Sequence, residues 1–221
     1  MDNYTVLYAG GFKPITGAHI DIIKRYLKHP GVKRVVLFIS PSSRDDIDSK
    51  SAYDIAKNIF KKYPVEVVLD KSSYSPILCI YRWIEHKDRE PGTYAMASSL
   101  KGKDYNRVKE FTRNYNEREF KKNLPKGVKI TELPLDVKPL TYDDGTPISA
   151  SIVRKAILDN DYEKFKKSYP NLPEKIPQYI WKKLKGNDKE IEESGELPGV
   201  GGSGYQRNYP SQIYKSIKNV Y

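Results

Sequence analysis

The chain opens on an apolar run, Tyr4 to Ala9, that meets two glycines and then an apolar pattern at helical spacing, Ile20, Ile22, Ile23, Tyr26 and Leu27. A strand that enters a helix through a glycine-containing turn is the opening of a strand–helix alternation. The alternation continues. Arg34 to Ile39, Val65 to Leu69, Thr93 to Ala97 and Val128 to Leu133 read as further buried strands. Ser51 to Lys62, with Ser49 or Ser51 as its cap, and Ser75 to Ile84, with Pro76 in its first turn, read as helices between them. This rhythm predicts an α/β fold, an open parallel five-stranded sheet flanked by helices.

Two stretches carry the chemistry. Gly10 to Ile23 reads Gly-Gly-Phe-Lys-Pro-Ile-Thr-Gly-Ala-His-Ile-Asp-Ile-Ile. In an open parallel sheet, ligands bind outside the carboxyl ends of the strands. A helix start offers free N–H groups and a positive dipole end, both suited to phosphate. Thr16 and His19 are three apart, so both can face one ligand, and Lys13 adds a positive charge. The second stretch is Ile148-Ser-Ala-Ser-Ile-Val-Arg154. Ser149 or Ser151 is a good helix cap. A helix beginning there presents hydroxyls, N–H groups and Arg154 from one end, an anion site built from three kinds of donor.

The first stretch resembles the signature of the nucleotidylyltransferase (cytidylyltransferase-like) superfamily, Gly-x-Phe-x-Pro-x-His/Thr-x-Gly-His. It is most similar to the phosphopantetheine adenylyltransferase branch. Gly10, Phe12, Pro14, Thr16, His19, Asp21, Ile22 and Ile23 fit. Lys13 stands where that branch has Asp, and Ala18 stands where the family has Gly. That Gly lets a nucleotide approach the backbone, so a methyl at Ala18 bears on activity more than on fold. The second stretch resembles the superfamily's Ile-Ser-x-x-x-(Ile/Val)-(Arg/Lys) motif, and the likeness spans roughly residues 4 to 185.

The resemblance implies a Rossmann-like fold and transfer of AMP or CMP from a nucleoside triphosphate to a phosphorylated acceptor, with release of pyrophosphate. It implies His19, Thr16 and Lys13 as catalytic residues. Gly10, Gly11, Phe12, Ala18, Arg44, Ser149, Ser151 and Arg154 would bind nucleotide and phosphate, the last three holding the β- and γ-phosphates. Lys101 and Lys103, after the fourth strand, are further candidates, with a solvated loop as the alternative. Mg²⁺ would bridge phosphate oxygens, with no protein side chain as its ligand.

Composition sets the remaining bounds. The net charge of +11 favours polyanionic partners, although the lysines are scattered rather than gathered. No apolar run approaches a membrane span. Cys79 is the lone cysteine, which excludes a disulfide framework and suits a cytoplasmic protein. His29 reads as a surface residue and His86 as structural. Residues 1–185 form the expected α/β domain, with 104–123 as a polar helical insertion that is also a possible nucleic-acid surface. Residues 186–204 read as a flexible linker and 205–221 as a Tyr-rich docking tail for a homo-oligomer or larger assembly. The Gly199, Gly201, Gly204 spacing is not a dinucleotide fingerprint, since no strand precedes it. The 18 tyrosines, the basic balance and Ala18 support an alternative. In it, the chain is a structural or assembly protein, for example a virus particle component, that keeps the fold with little catalysis.

Overall fold

The computed structural model describes residues 3–71, 73–98, 102–136 and 138–186, without the side chains of 102–104. The chain divides into two units, Met1–Asp188 and Lys189–Tyr221. The tail expected over 205–221 and the linker expected over 186–204, Gly186 apart, lie outside the described residues.

Five strands, β1 (Tyr4–Gly10), β2 (Val32–Ile39), β3 (Val65–Leu69), β4 (Gly92–Met96) and β5 (Val128–Glu132), form one sheet in the order β3-β2-β1-β4-β5. Every pairing is parallel, so the fold is the expected Rossmann-like open sheet. The register sets Gly10 opposite Ile39 and Leu7 opposite Met96. The carboxyl ends of β1, β2 and β4 therefore finish at one rim.

Strand alternation sorts the core into two layers. Val6, Val35, Leu37 and Ile39 face one side of the sheet, where α1 (Gly17–Lys28), α2 (Ser49–Phe60), α5 (Ala150–Leu158), α6 (Tyr162–Lys167) and α7 (Lys175–Leu184) cover them. Leu7, Val36 and Phe38 face the other, under α3 (Pro76–Ile84) and α4 (Gly102–Asn116). Ile20 and Ile23 on α1 and Ile80 on α3 are wholly buried, each contributing about 1.5–3 kcal/mol by leaving water. Cys79 is buried on α3, and burial pushes its thiol up to about 12.

The cap of α2 differs from expectation. Asp48 takes the role assigned to Ser49 or Ser51, its carboxylate accepting from the Ser51 N–H at 2.8 Å and the Ser51 hydroxyl at 2.7 Å. The polar segment 104–123 forms most of α4, the crossover from β4 to β5, and a short 3-10 turn (Glu119–Asn123). Val108, Phe111 and Tyr115, one face of α4, are buried against the sheet.

Candidate active site

The site grows from the β1–α1 turn. A methyl at Gly10 would stand 2.8 Å from the Phe12 ring, so glycine there lets Phe12 fold back over the strand end. Phe12 has a left-handed backbone, φ 49°, a conformation that non-glycine residues adopt at a cost. Its buried ring meets Tyr8 and His19 edge to face, with centroids 5.1 and 5.0 Å apart. Thr16 then caps α1 in a capping box whose third helical residue is His19. The Thr16 hydroxyl accepts from the His19 N–H at 3.4 Å, and the Thr16 N–H donates to His19 Nδ1 at 3.1 Å. A backbone N–H can only donate, so Nδ1 is unprotonated and the ring proton sits on Nε2. Burial pushes the imidazole down to about 4. At neutral pH, His19 is thus an uncharged donor of fixed tautomer.

The turn is also held from the far third of the chain. Arg154 Nη1 donates to Lys13 O at 3.0 Å, Tyr169 Oη donates to Ile15 O at 2.8 Å, and Gly17 N donates to Ser168 O at 3.1 Å. A methyl at Gly17 would lie 2.5 Å from Ser168 O, so this glycine serves chain packing. The N–H of Ala18 meets no acceptor among the described residues.

A cavity of about 360 Å³ opens beside the turn, a size that suits a small ligand. Its walls are Tyr8, Ala9 and Gly10 from β1, Phe12, His19 and Ile22 from the turn and α1, Ile77 from α3, Met96 to Ser98 from the end of β4, and Arg107 from α4. It lies where the strand order reverses, between β1 and β4, the ligand crevice of open α/β sheets.

The cavity thus takes up Gly10, Phe12 and His19 from the expected set, and Thr16 orients His19. The remaining candidates are not among its walls. Lys13 is 2% exposed. Its ammonium donates to Ser40 O and lies 3.5 Å from Gly11 O. Burial lowers it to about 8, partly opposed by Asp48. Arg154, 8% exposed, pairs through Nε with Asp45, in addition to its bond to Lys13 O. It reaches the same turn as His19 without reaching the same cavity. Arg44 is exposed at the base of a tight turn closed by reciprocal backbone bonds with Ile47 at 3.0 Å. Ser149 caps α5, and its hydroxyl lies 2.9 Å from that of Ser151. Gly11 is exposed and Ala18 half-buried at the start of α1. Lys103 belongs to α4, and Lys101 lies outside the described residues.

Sequence reasoning singled out the loop after the fourth strand, Ser98 to Lys103, but took only Lys101 and Lys103 from it as candidates, and it missed Arg107. The signal available was positional: Ser98 directly follows a strand end facing the crevice. The polar side chains among the cavity's walls are an imidazole, two hydroxyls (Tyr8 and Ser98) and a guanidinium, with no carboxylate. This donor set does not fit a protein-held Mg²⁺. Among the described residues, no three His, Cys, Asp or Glu side chains gather as a metal site.

Comparison with solved structures finds likeness over most of the chain. Plasmodium falciparum nicotinic acid mononucleotide adenylyltransferase complexed with APC is 14% identical with a TM-score of 0.49, over 85% of this chain and 98% of that one. The same protein complexed with NaAD gives 15% and 0.47 over the same shares. No protein-family model matches the chain, and no curated protein matches it. Among the described residues, no helix is long and apolar enough to cross a membrane.

Proposed function

We propose that the chain is a nucleotidylyltransferase, moving AMP or CMP from a nucleoside triphosphate to a phosphorylated acceptor. One observation carries the reading. A neutral histidine, fixed in its tautomer by the cap of α1, faces a ligand-sized cavity at the switch point of a parallel sheet. The order of the two motifs along the sequence supports it.

The chemistry needs no covalent intermediate. An acceptor phosphate oxygen attacks the α-phosphorus in line, the new O–P bond forms, and the bond to the β-phosphate oxygen breaks as pyrophosphate leaves. The protein supplies positioning and charge stabilisation. His19 Nε2–H donates to a non-bridging α-phosphate oxygen as its charge grows. Thr16 holds the ring, and the open Ala18 N–H is a second donor at the helix start. Ser149, Ser151 and Arg154 bind the β- and γ-phosphates, Arg154 exchanging Asp45 for phosphate. Lys13 and Arg44 contribute positive potential on the acceptor side. Mg²⁺ accompanying the triphosphate would supply further neutralisation of the phosphate charge.

A second reading is favoured by the Asp45–Arg154 pair and the engaged Lys13 ammonium, which together leave two of the expected cations committed to protein partners. In it, the chain keeps the fold for assembly and catalyses little. Pyrophosphate release from the Mg²⁺ complexes of ATP and CTP, over a set of phosphorylated acceptors, separates the two. Turnover that His19→Ala lowers by roughly 100-fold to 1000-fold is expected of the enzyme. Equal background in wild type and His19→Ala for every pair leaves the assembly reading.

A further inference from the structure

Lysines that are scattered along the sequence are gathered by the fold. Helix α2 buries Ala52, Ile55, Ala56 and Phe60, and α7 buries Pro177 and Ile180. Lys57 and the cap residue Lys61 stand one turn apart at the end of α2, both exposed, and the exposed Lys62 follows them. Lys175 and Lys182 stand two turns apart on the exposed side of α7. The two helices lie in contact in the layer on one side of the sheet. Five lysines from two distant segments thus face water from neighbouring helices.

The protein does not neutralise them. Among the described residues, none of the five has a carboxylate within ion-pair distance. Asp54, the acid within α2, pairs with Lys50, and Glu174, the cap residue of α7, pairs with Lys166, each at 2.6 Å. Segment 104–123, the other basic and aromatic stretch, differs: Arg113 pairs with Glu117 at 3.3 Å, and Arg118 pairs with Glu110. Uncompensated like charges repel, and a bound polyanion relieves the repulsion as its counterions leave.

Aromatic rings lie among these lysines. Lys57 Nζ stands 5.7 Å from the Tyr53 ring centroid. Tyr63, 43% exposed, directly follows Lys61 and Lys62. The Phe60 ring supports it edge to face, with centroids 6.2 Å apart. An exposed ring beside cations is a stacking platform for an unpaired base. A duplex keeps its bases inside, and a lipid surface calls for an apolar helix face, which these lysine faces lack.

We propose that the outer faces of α2 and α7 are a docking surface for single-stranded nucleic acid, with the five lysines on its phosphates and the Tyr63 ring on a base. None of these residues lines the cavity, and docking does not depend on nucleotidyl transfer.

The test is anisotropy of short labelled oligo(dT), oligo(U) and a DNA duplex with the full chain across a salt series, beside sedimentation with phosphatidylserine vesicles. For wild type, log affinity for a single strand should fall against log salt with a slope of about −3.5, from roughly −0.7 for each of the lysines. Lys57→Gln/Lys61→Gln/Lys62→Gln should flatten that slope by about 2, and Lys175→Gln/Lys182→Gln by about 1.4. Tyr63→Ala should weaken binding roughly fivefold to tenfold with the slope unchanged. Lys109→Gln/Arg113→Gln/Lys121→Gln removes the same charge from segment 104–123 and should change neither. The tighter of the two strands assigns DNA or RNA. Absence of binding by wild type, equal loss in the 104–123 variant, or unchanged affinity in Tyr63→Ala overturns the proposal. So does tighter binding of the duplex or the vesicles than of either strand. Melting temperatures should match wild type, and the α7 variant decides the outcome if the α2 variant unfolds.

Discussion

The neutral state of His19 makes the fold sensitive to acid in a way that can be isolated. The imidazole sits at about 4 in the folded chain against an ordinary 6.5, because burial penalises its charged form. Between those values the unfolded chain holds a proton that the folded chain does not. Stability is therefore full above about pH 6.5 and falls as pH drops towards 4. Each unit of difference is worth about 1.36 kcal/mol, so acidification from about pH 7.5 to about pH 5 removes about 2 kcal/mol through this group. The ring edge on the cavity meets water, which trims the effect to about 1.5 kcal/mol. His19→Gln is the matched control. Glutamine at the third helical position can close the same capping box on the Thr16 N–H but does not titrate. Urea unfolding of both proteins across this pH range cancels every other titrating group. The stability difference should shift by about 1.5 kcal/mol in favour of the variant at acid pH. A difference that stays constant would refute the claim that the fold holds the imidazole neutral.

Two further outcomes follow from the neighbouring contacts. Gly17→Ala places a methyl against Ser168 O and Tyr169 Cα, at 2.5 and 3.0 Å; the overpacking should cost about 2–3 kcal/mol and lower the melting temperature by roughly 5–10 °C, read by calorimetry. Asp45→Asn leaves Arg154 without its carboxylate partner, and titration calorimetry should show triphosphate binding strengthened roughly threefold to fivefold; unchanged affinity would place Arg154 outside the phosphate site.

The sheet was legible because each strand is a short β-branched or aromatic run bounded by a turn, and burial on both faces leaves such runs continuous. Segment 104–123 was less so. The apolar stripe of α4 is sparse, Val108, Phe111 and Tyr115, because the helix covers an edge of the sheet and turns its other face to water. At the site, the nearness of Thr16 and His19 was readable because a spacing of three is local; the capping box that turns them towards each other was not read. The fates of Lys13 and Arg154 were not, because Ser40 and Asp45 reach them through tertiary contacts 27 and 109 residues away in sequence.

The bonds that Arg154, Ser168 and Tyr169 make to the turn after β1 bear on how the molecule matures. The amino-terminal signature leaves the ribosome long before the residues that clamp it. A nascent or truncated chain ending after β5 could assemble its strands, yet its loop would lack the partners of residues 13, 15 and 17. Ligand competence would thus be acquired late in synthesis, when the last helices dock.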